Sequence, residues 1–210
     1  MSFELWAAFA VASAIMVAIP GPTVLLVISY ALGHGRKPAL AIVAGVALGD
    51  FTAMTASILG VGALLAASAT LFTALKWIGA AYLVYLGVRL WRAPVAPPAA
   101  AEAAVPAVDT RRAVLHAYVV TALNPKSIVF FVAFLPQFLD PAGAVALQLV
   151  VFEMTFLVLA TLNAAAYALM ASMARGAIRR PGVQKAVNRA SGTLMIGVGL
   201  LAAGWRRAAA

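Results

Sequence analysis

The chain has 210 residues, 65% of them hydrophobic and 10% charged, with a mean hydropathy of +1.02 and a formal net charge of +9. So few charges exclude a water-soluble globular surface, and the length is therefore counted in membrane spans of about 20 residues, set by a hydrocarbon core about 30 Å thick. Cysteine is absent, which excludes disulfides, thiolate metal sites and cysteine nucleophiles.

Hydropathy predicts six helical spans near residues 5–32, 39–66, 71–91, 113–135, 144–172 and 190–205, helical because lipid offers no partner to an unpaired backbone. The first is counted as a span, since MSFELW lacks the basic start of a cleavable signal and the apolar run behind it is too long for one. Within it Pro20-Gly21-Pro22 removes backbone donors and predicts a break near the bilayer centre. The second span carries Gly45-xxx-Gly49, a spacing that predicts close helix contact, directly before Asp50. Beyond the third span, residues 93–112 are rich in Pro and Ala and read as a cytoplasmic linker between a first repeat, 1–92, and a second, 113–210. The fourth span is interrupted at Asn124-Pro125, with Lys126 immediately after, and the fifth holds Glu153.

The basic residues collect at span ends, an arrangement that argues for a membrane partner and against nucleic acid. Arg36, Lys37, Arg89, Arg92, Arg111, Arg112, Arg175, Arg179, Arg180, Lys185 and Arg189 fall on one side, against Lys76, Arg206 and Arg207 on the other. The positive-inside rule then puts both termini outside. Trp6, Trp77, Trp91 and Trp205 lie near predicted span ends, where an indole N–H meets headgroups.

The halves match. Pro22 precedes Asp50 by 28 residues and Pro125 precedes Glu153 by the same interval, so each half has a proline break in its first helix and a lone carboxylate in its second. Three helices per half is an odd number, so the second half enters the membrane from the opposite side. The expected fold is an all-α integral membrane protein of six transmembrane helices in two inverted three-helix repeats, N-out and C-out.

Breaks at matching depth bring half-helix ends together. Free N–H groups at a helix start attract anions and freed carbonyls attract ammonium groups, which suits a zwitterion. Asp50, Lys126 and Glu153 keep this company, and a charge at the bilayer centre costs at least about 2.5 kcal/mol, so such residues face the bundle interior and mark a pathway. One carboxylate is left over when the lysine is paired, free to exchange a proton. Candidate substrate-binding residues are thus Pro20, Gly21, Pro22, Asp50, Asn124, Pro125, Lys126 and Glu153, with Asp50 and Glu153 coupling to protons. His34 and His116 lack metal-ligand spacing, and no phosphate-binding loop or nucleophile elbow is present, so no metal, cofactor, ATP-driven step or hydrolysis is expected. The same residues also fit a metal-ion or small-cation exporter, or a scaffold subunit without cargo whose buried charges only join helices.

PGPTVLLVISYALGHGRKPALAIVAGVALGD, KWIGAAYLVYLG and NPKSIVFFVAFLPQF resemble the LysE/RhtB family of bacterial amino-acid exporters, over nearly the whole chain. The resemblance implies a proton-driven efflux carrier of the bacterial cytoplasmic membrane, exporting amino acids such as threonine, homoserine or lysine. It also implies that the family's helix-breaking motif falls on Pro20, Gly21 and Pro22, its acidic position on Asp50, and its second motif on Asn124, Pro125 and Lys126. A homo-oligomer is compatible with these features.

Overall fold

Helix α1 (Phe3–Ala18) starts on Ser2, whose hydroxyl accepts the Leu5 N–H, and stops where Pro20 and Pro22 withhold the next donors. The computed structural model describes residues 1–67, 69–94, 109–173 and 181–204. Pro22, whose missing N–H is harmless at a helix start, opens α2 (Pro22–His34), bent 49° from α1. Gly35, at φ 88°, turns the chain into α3 (Arg36–Ala67), followed by α4 (Ala69–Trp91). Asp109 caps α5 (Thr110–Ala122), and Asn124 with Pro125 starts α6 (Pro125–Ala133), which runs into a short 3₁₀ turn, Leu135–Phe138. Two long elements finish the chain, α7 (Val145–Met173) and α8 (Pro181–Gly204). Broken helix, long helix, shorter helix is thus the order read twice, and all regular structure among the described residues is helical.

Among those residues Arg36–Gly60, Thr110–Phe138 and Val145–Met173 are long and apolar enough to cross a bilayer, and the bent pair α1–α2 makes a fourth span if counted as one. The remaining expected spans fall on α4 and α8. Trp77–Trp91 is a shorter apolar helix, and α8 opens on the polar stretch PGVQKAVNRASG. Large apolar side chains such as Leu59, Leu123, Leu147 and Leu162 point outward, as a lipid-facing surface requires.

Small residues set the helix crossings. A Cβ added at Gly45 would lie 2.2 Å from the Val114 carbonyl oxygen, and one at Gly49 2.7 Å from the Thr121 Cβ, so α3 and α5 touch backbone to backbone as Gly45-xxx-Gly49 predicts. Gly87 of α4 and Gly192 of α8 meet similarly, each blocked by the other's carbonyl at 2.7 and 2.6 Å. Between the crossings lie two cores. One is aromatic, built from Phe9, Phe130, Phe131, Phe138, Phe152 and Phe156; the other is close-packed around Val27, Ile42, Val46, Ala117 and Ala168.

Trp6, expected near a span end, spends its indole N–H within the protein. Its indole N–H donates to Thr155 Oγ1 at 3.1 Å, because α7 offers an acceptor within reach and the ring packs on the aromatic core. Trp91 stacks under the Arg189 guanidinium at 4.9 Å. Most of the expected 93–112 linker, Arg175, Arg179, Arg180, Trp205, Arg206 and Arg207 lie outside the described residues.

Candidate functional site

A helix that stops leaves its last four carbonyls without partners. In α1 the loss follows from the sequence: Pro20 and Pro22 lack the N–H groups that would have reached Met16 and Ala18. Side chains from the second half of the chain fill all four positions. Lys126 Nζ donates to the Met16 carbonyl at 2.8 Å and to that of Ile19 at 2.5 Å, Asn163 Nδ2 to Val17 at 2.8 Å, and the Tyr167 hydroxyl to Ala18 at 2.7 Å. An ammonium on the partial negative charge of a helix C-terminus is worth up to about 2 kcal/mol in partly buried geometry.

The second break lies beside the first. Asn124 Oδ1 accepts the Lys126 N–H at 3.1 Å and its Nδ2 donates to Thr23 Oγ1 at 3.2 Å, while Thr23 and Thr121 share a hydroxyl contact of 3.2 Å. The Gly21 start of α2 has no side-chain cap. Asp50 comes in from α3. It and Lys126, each 5% exposed, face one pocket of about 30 Å³ together with Gly21, Asn124 and Asn163. A cavity needs about 10–15 Å³ to hold a water, so this one has room for water. No ion pair within 4.0 Å joins them, but their opposite charges act on each other across the pocket.

On the other side of Lys126 is a wider cavity of about 230 Å³. Pro20, Gly21, Pro22, Asn124, Pro125 and Lys126 form one wall; Leu86, Arg89 and Leu90 of α4, with Met195 of α8, form another. The starts of α2 and α6 therefore border a space that admits a small metabolite, with Arg89 among its lining residues and its guanidinium 5.9 Å over the Tyr85 ring. A third and larger cavity, about 670 Å³ between α3, α5 and α6, is walled by apolar groups such as Val119, Leu123 and Ile128 and holds none of the predicted site residues. The buried charged side chains among the described residues, Asp50 and Lys126, lie at the two breaks.

Seven of the eight predicted residues are thus brought together, and Glu153 stands apart. It is half-buried and accepts a hydrogen bond from Thr55 Oγ1 at 2.5 Å, lining neither pocket at the breaks. The matched interval of 28 residues misleads because loop residues fill part of it. Asp50 lies 14 residues into α3 (50 − 36), but Glu153 only 8 into α7 (153 − 145), after the 3₁₀ turn and the loop that follows. Glu153 is consequently about 15 Å along α7 from Asn163, at 1.5 Å per residue.

Asn163, Tyr167, Thr23 and Arg89 were missed as site residues. Asn163 and Tyr167 carried a legible signal, two polar side chains four apart in an apolar helix and so on one face. Among the described residues no three His, Cys, Asp or Glu side chains gather as a metal site does.

A family model described as LysE type translocator matches residues 14–204. Homoserine/homoserine lactone efflux protein of Salmonella typhimurium is 34% identical over 208 residues, covering 99% of this chain and 100% of its own. A membrane protein of Vibrio cholerae is 34% identical over 205 residues, covering 97% and 98%. Leucine efflux protein of Salmonella choleraesuis is 34% identical over 136 residues, covering 63% and 62%. No solved structure matches the chain.

Proposed function

We propose that this chain, which belongs to the LysE type translocator family, exports amino acids or closely related small metabolites across the cytoplasmic membrane of a bacterium, by proton-coupled antiport. The family is one of translocators rather than enzymes, and relatives named for efflux of homoserine, homoserine lactone and leucine support an amino-acid cargo. The observation that carries the reading is the meeting of two helix breaks, with opposite helix polarities and the buried charges Asp50 and Lys126, in an otherwise apolar interior.

Each group then has a role. The starts of α2 and α6, with Lys126 and Arg89, receive the substrate carboxylate in the wider cavity. The carbonyl end of α1 and Asp50 receive its ammonium group, and Asp50 trades that cation for a proton on the return. Glu153 is a second proton site, off the binding cavity. The architecture we infer is six spans in two inverted repeats with both termini outside, which puts Arg89 and the wider cavity toward the cytoplasm, where an exporter loads.

The test is counterflow in proteoliposomes with labelled leucine, homoserine, threonine and lysine, with and without an imposed pH gradient. Exchange of at least one of them, driven by the gradient, is expected. Asp50→Asn should lower it at least tenfold while the protein still inserts. Absence of exchange with every amino acid, or wild-type exchange by the Asp50→Asn protein, would sink the reading.

A further inference from the structure

The end of α1 already carries a ligand, the ammonium of the chain's own Lys126. Two of its three N–H donors lie on the Met16 and Ile19 carbonyls, 2.8 and 2.5 Å away. Nothing in that pair of carbonyls requires the amine to be tethered; they accept any primary ammonium that reaches them. Lys126 lines both the small pocket shared with Asp50 and the 230 Å³ cavity, so an ammonium taking its place would be reached from either. Gly21 lets that side chain lie close: a Cβ there would come 3.3 Å from the Lys126 Cδ and 3.4 Å from its Nζ.

Charge bookkeeping favours an exchange at this point. If Lys126 left without replacement, two carbonyls would be orphaned and a buried cation stranded, both unfavourable in an apolar interior. If a zwitterion enters, its ammonium replaces that of Lys126 and its carboxylate meets the lysine just released. No charge is uncompensated at any stage.

We propose that the Met16 and Ile19 carbonyls form a primary-ammonium site, filled by Lys126 in the empty protein and taken over by the ammonium of an entering amino acid, whose carboxylate then pairs with Lys126. That the entering molecule is cargo rests on the carrier reading; the ammonium site itself does not. The arrangement selects for molecules bearing both groups. An N-acylated amino acid lacks the cation, and a simple amine leaves Lys126 unpaired.

Lys126→Ala removes three methylene carbons and an ammonium, the outline of n-propylammonium. With purified Lys126→Ala protein in detergent, saturating n-propylammonium should raise the unfolding temperature by roughly 3 °C or more. Wild-type protein and Lys126→Met, whose sites are occupied by a tethered chain, should move by less than about 1 °C. Tetramethylammonium has no N–H to donate and should act on none of them. Where Lys126→Ala fails to fold alone, its recovery when purified in n-propylammonium, and not in tetramethylammonium, is the same result. No response to n-propylammonium in either form, or an equal response to tetramethylammonium, overturns the site. A separate measurement tests the exchange: whichever amino acid the wild type counterflows, its N-acetyl derivative should inhibit at least tenfold more weakly than the free acid. Equal inhibition defeats the exchange, whereas absence of counterflow with any amino acid defeats the carrier reading and leaves the n-propylammonium result to decide the site.

Discussion

Replacing Gly45 with alanine loads the closest glycine contact among the described residues. The added carbon would stand 2.2 Å from the Val114 carbonyl oxygen, 3.1 Å from the carbonyl carbon and 3.2 Å from the Ala117 Cβ. Ordinary contact begins at 3.4 Å, so α3 and α5 have to part by about 1.2 Å (3.4 − 2.2), and the obstacle is backbone that no rotamer moves aside. Overpacking a well-filled interior costs about 1–3 kcal/mol, and a rigid obstacle belongs at the upper end. Alanine's better helix propensity returns about 1 kcal/mol, leaving a net loss of about 2 kcal/mol. At roughly 2–4 °C per kcal/mol for a chain of this length, the unfolding temperature falls by about 4–8 °C. The assay is thermal unfolding of purified protein in one detergent, followed by tryptophan fluorescence. Gly60→Ala is the comparator, since nothing lies within 4 Å of its added carbon, and it should hold or gain stability. Gly49→Ala strains the same crossing, at 2.7 Å from the Thr121 Cβ and 2.8 Å from the Tyr118 carbonyl oxygen, so one displacement relieves both and the double substitution should lose less than the sum. A Gly45→Ala protein as stable as Gly60→Ala would refute the crossing; strict additivity would refute the shared displacement.

Other expectations follow from the breaks. Asn163→Leu orphans the part-buried Val17 carbonyl and should cost about 1–3 kcal/mol in the same unfolding assay, whereas Tyr167→Phe removes an exposed bond to Ala18 and should cost about 0.5–1.5 kcal/mol; no loss from either would mean the carbonyls find other donors. Glu153→Gln leaves the Asp50–Lys126 pocket untouched, so substrate counterflow should persist near wild-type rates while gradient-driven transport falls. A counterflow loss matching that of Asp50→Asn would put Glu153 in the binding site. Arg89→Gln removes the guanidinium beside the wider cavity and should raise the KM of a carboxylate-bearing cargo up to about tenfold with little change in maximal rate; an unchanged KM would take Arg89 out of the substrate's path.

Much of this architecture is written in local sequence rules. Prolines cannot donate, so both interruptions are where Pro20, Pro22 and Pro125 put them, and glycines four apart at 45 and 49 name a crossing before its partner is known. Properties that depend on distance through space were less legible. The interval from Pro125 to Glu153 equals that from Pro22 to Asp50, yet counting residues does not count helical rise when a 3₁₀ turn and a loop intervene. Lys126 was legible as a buried charge, but its partner was not: a carboxylate is the obvious choice on charge alone, and although Pro20 announces that the Met16 carbonyl is orphaned, nothing in the sequence says which donor reaches it. Trp6 shows the same limit, since a belt position follows from hydropathy and the Thr155 hydroxyl that claims its N–H does not.

The Gly87–Gly192 contact bears on how this protein moves. With each backbone pressed against the other's carbonyl, and Gly199 pressed on Ala80 below, α4 and α8 have no slack to roll or slide. Leu86, Arg89 and Met195 are therefore held in one arrangement along this side of the wider cavity, and Gly79, with Ala133 Cβ of α6 2.8 Å from its added carbon, fastens α4 to the second interrupted helix as well. Cross-linking α4 to α8 at this contact should leave transport intact.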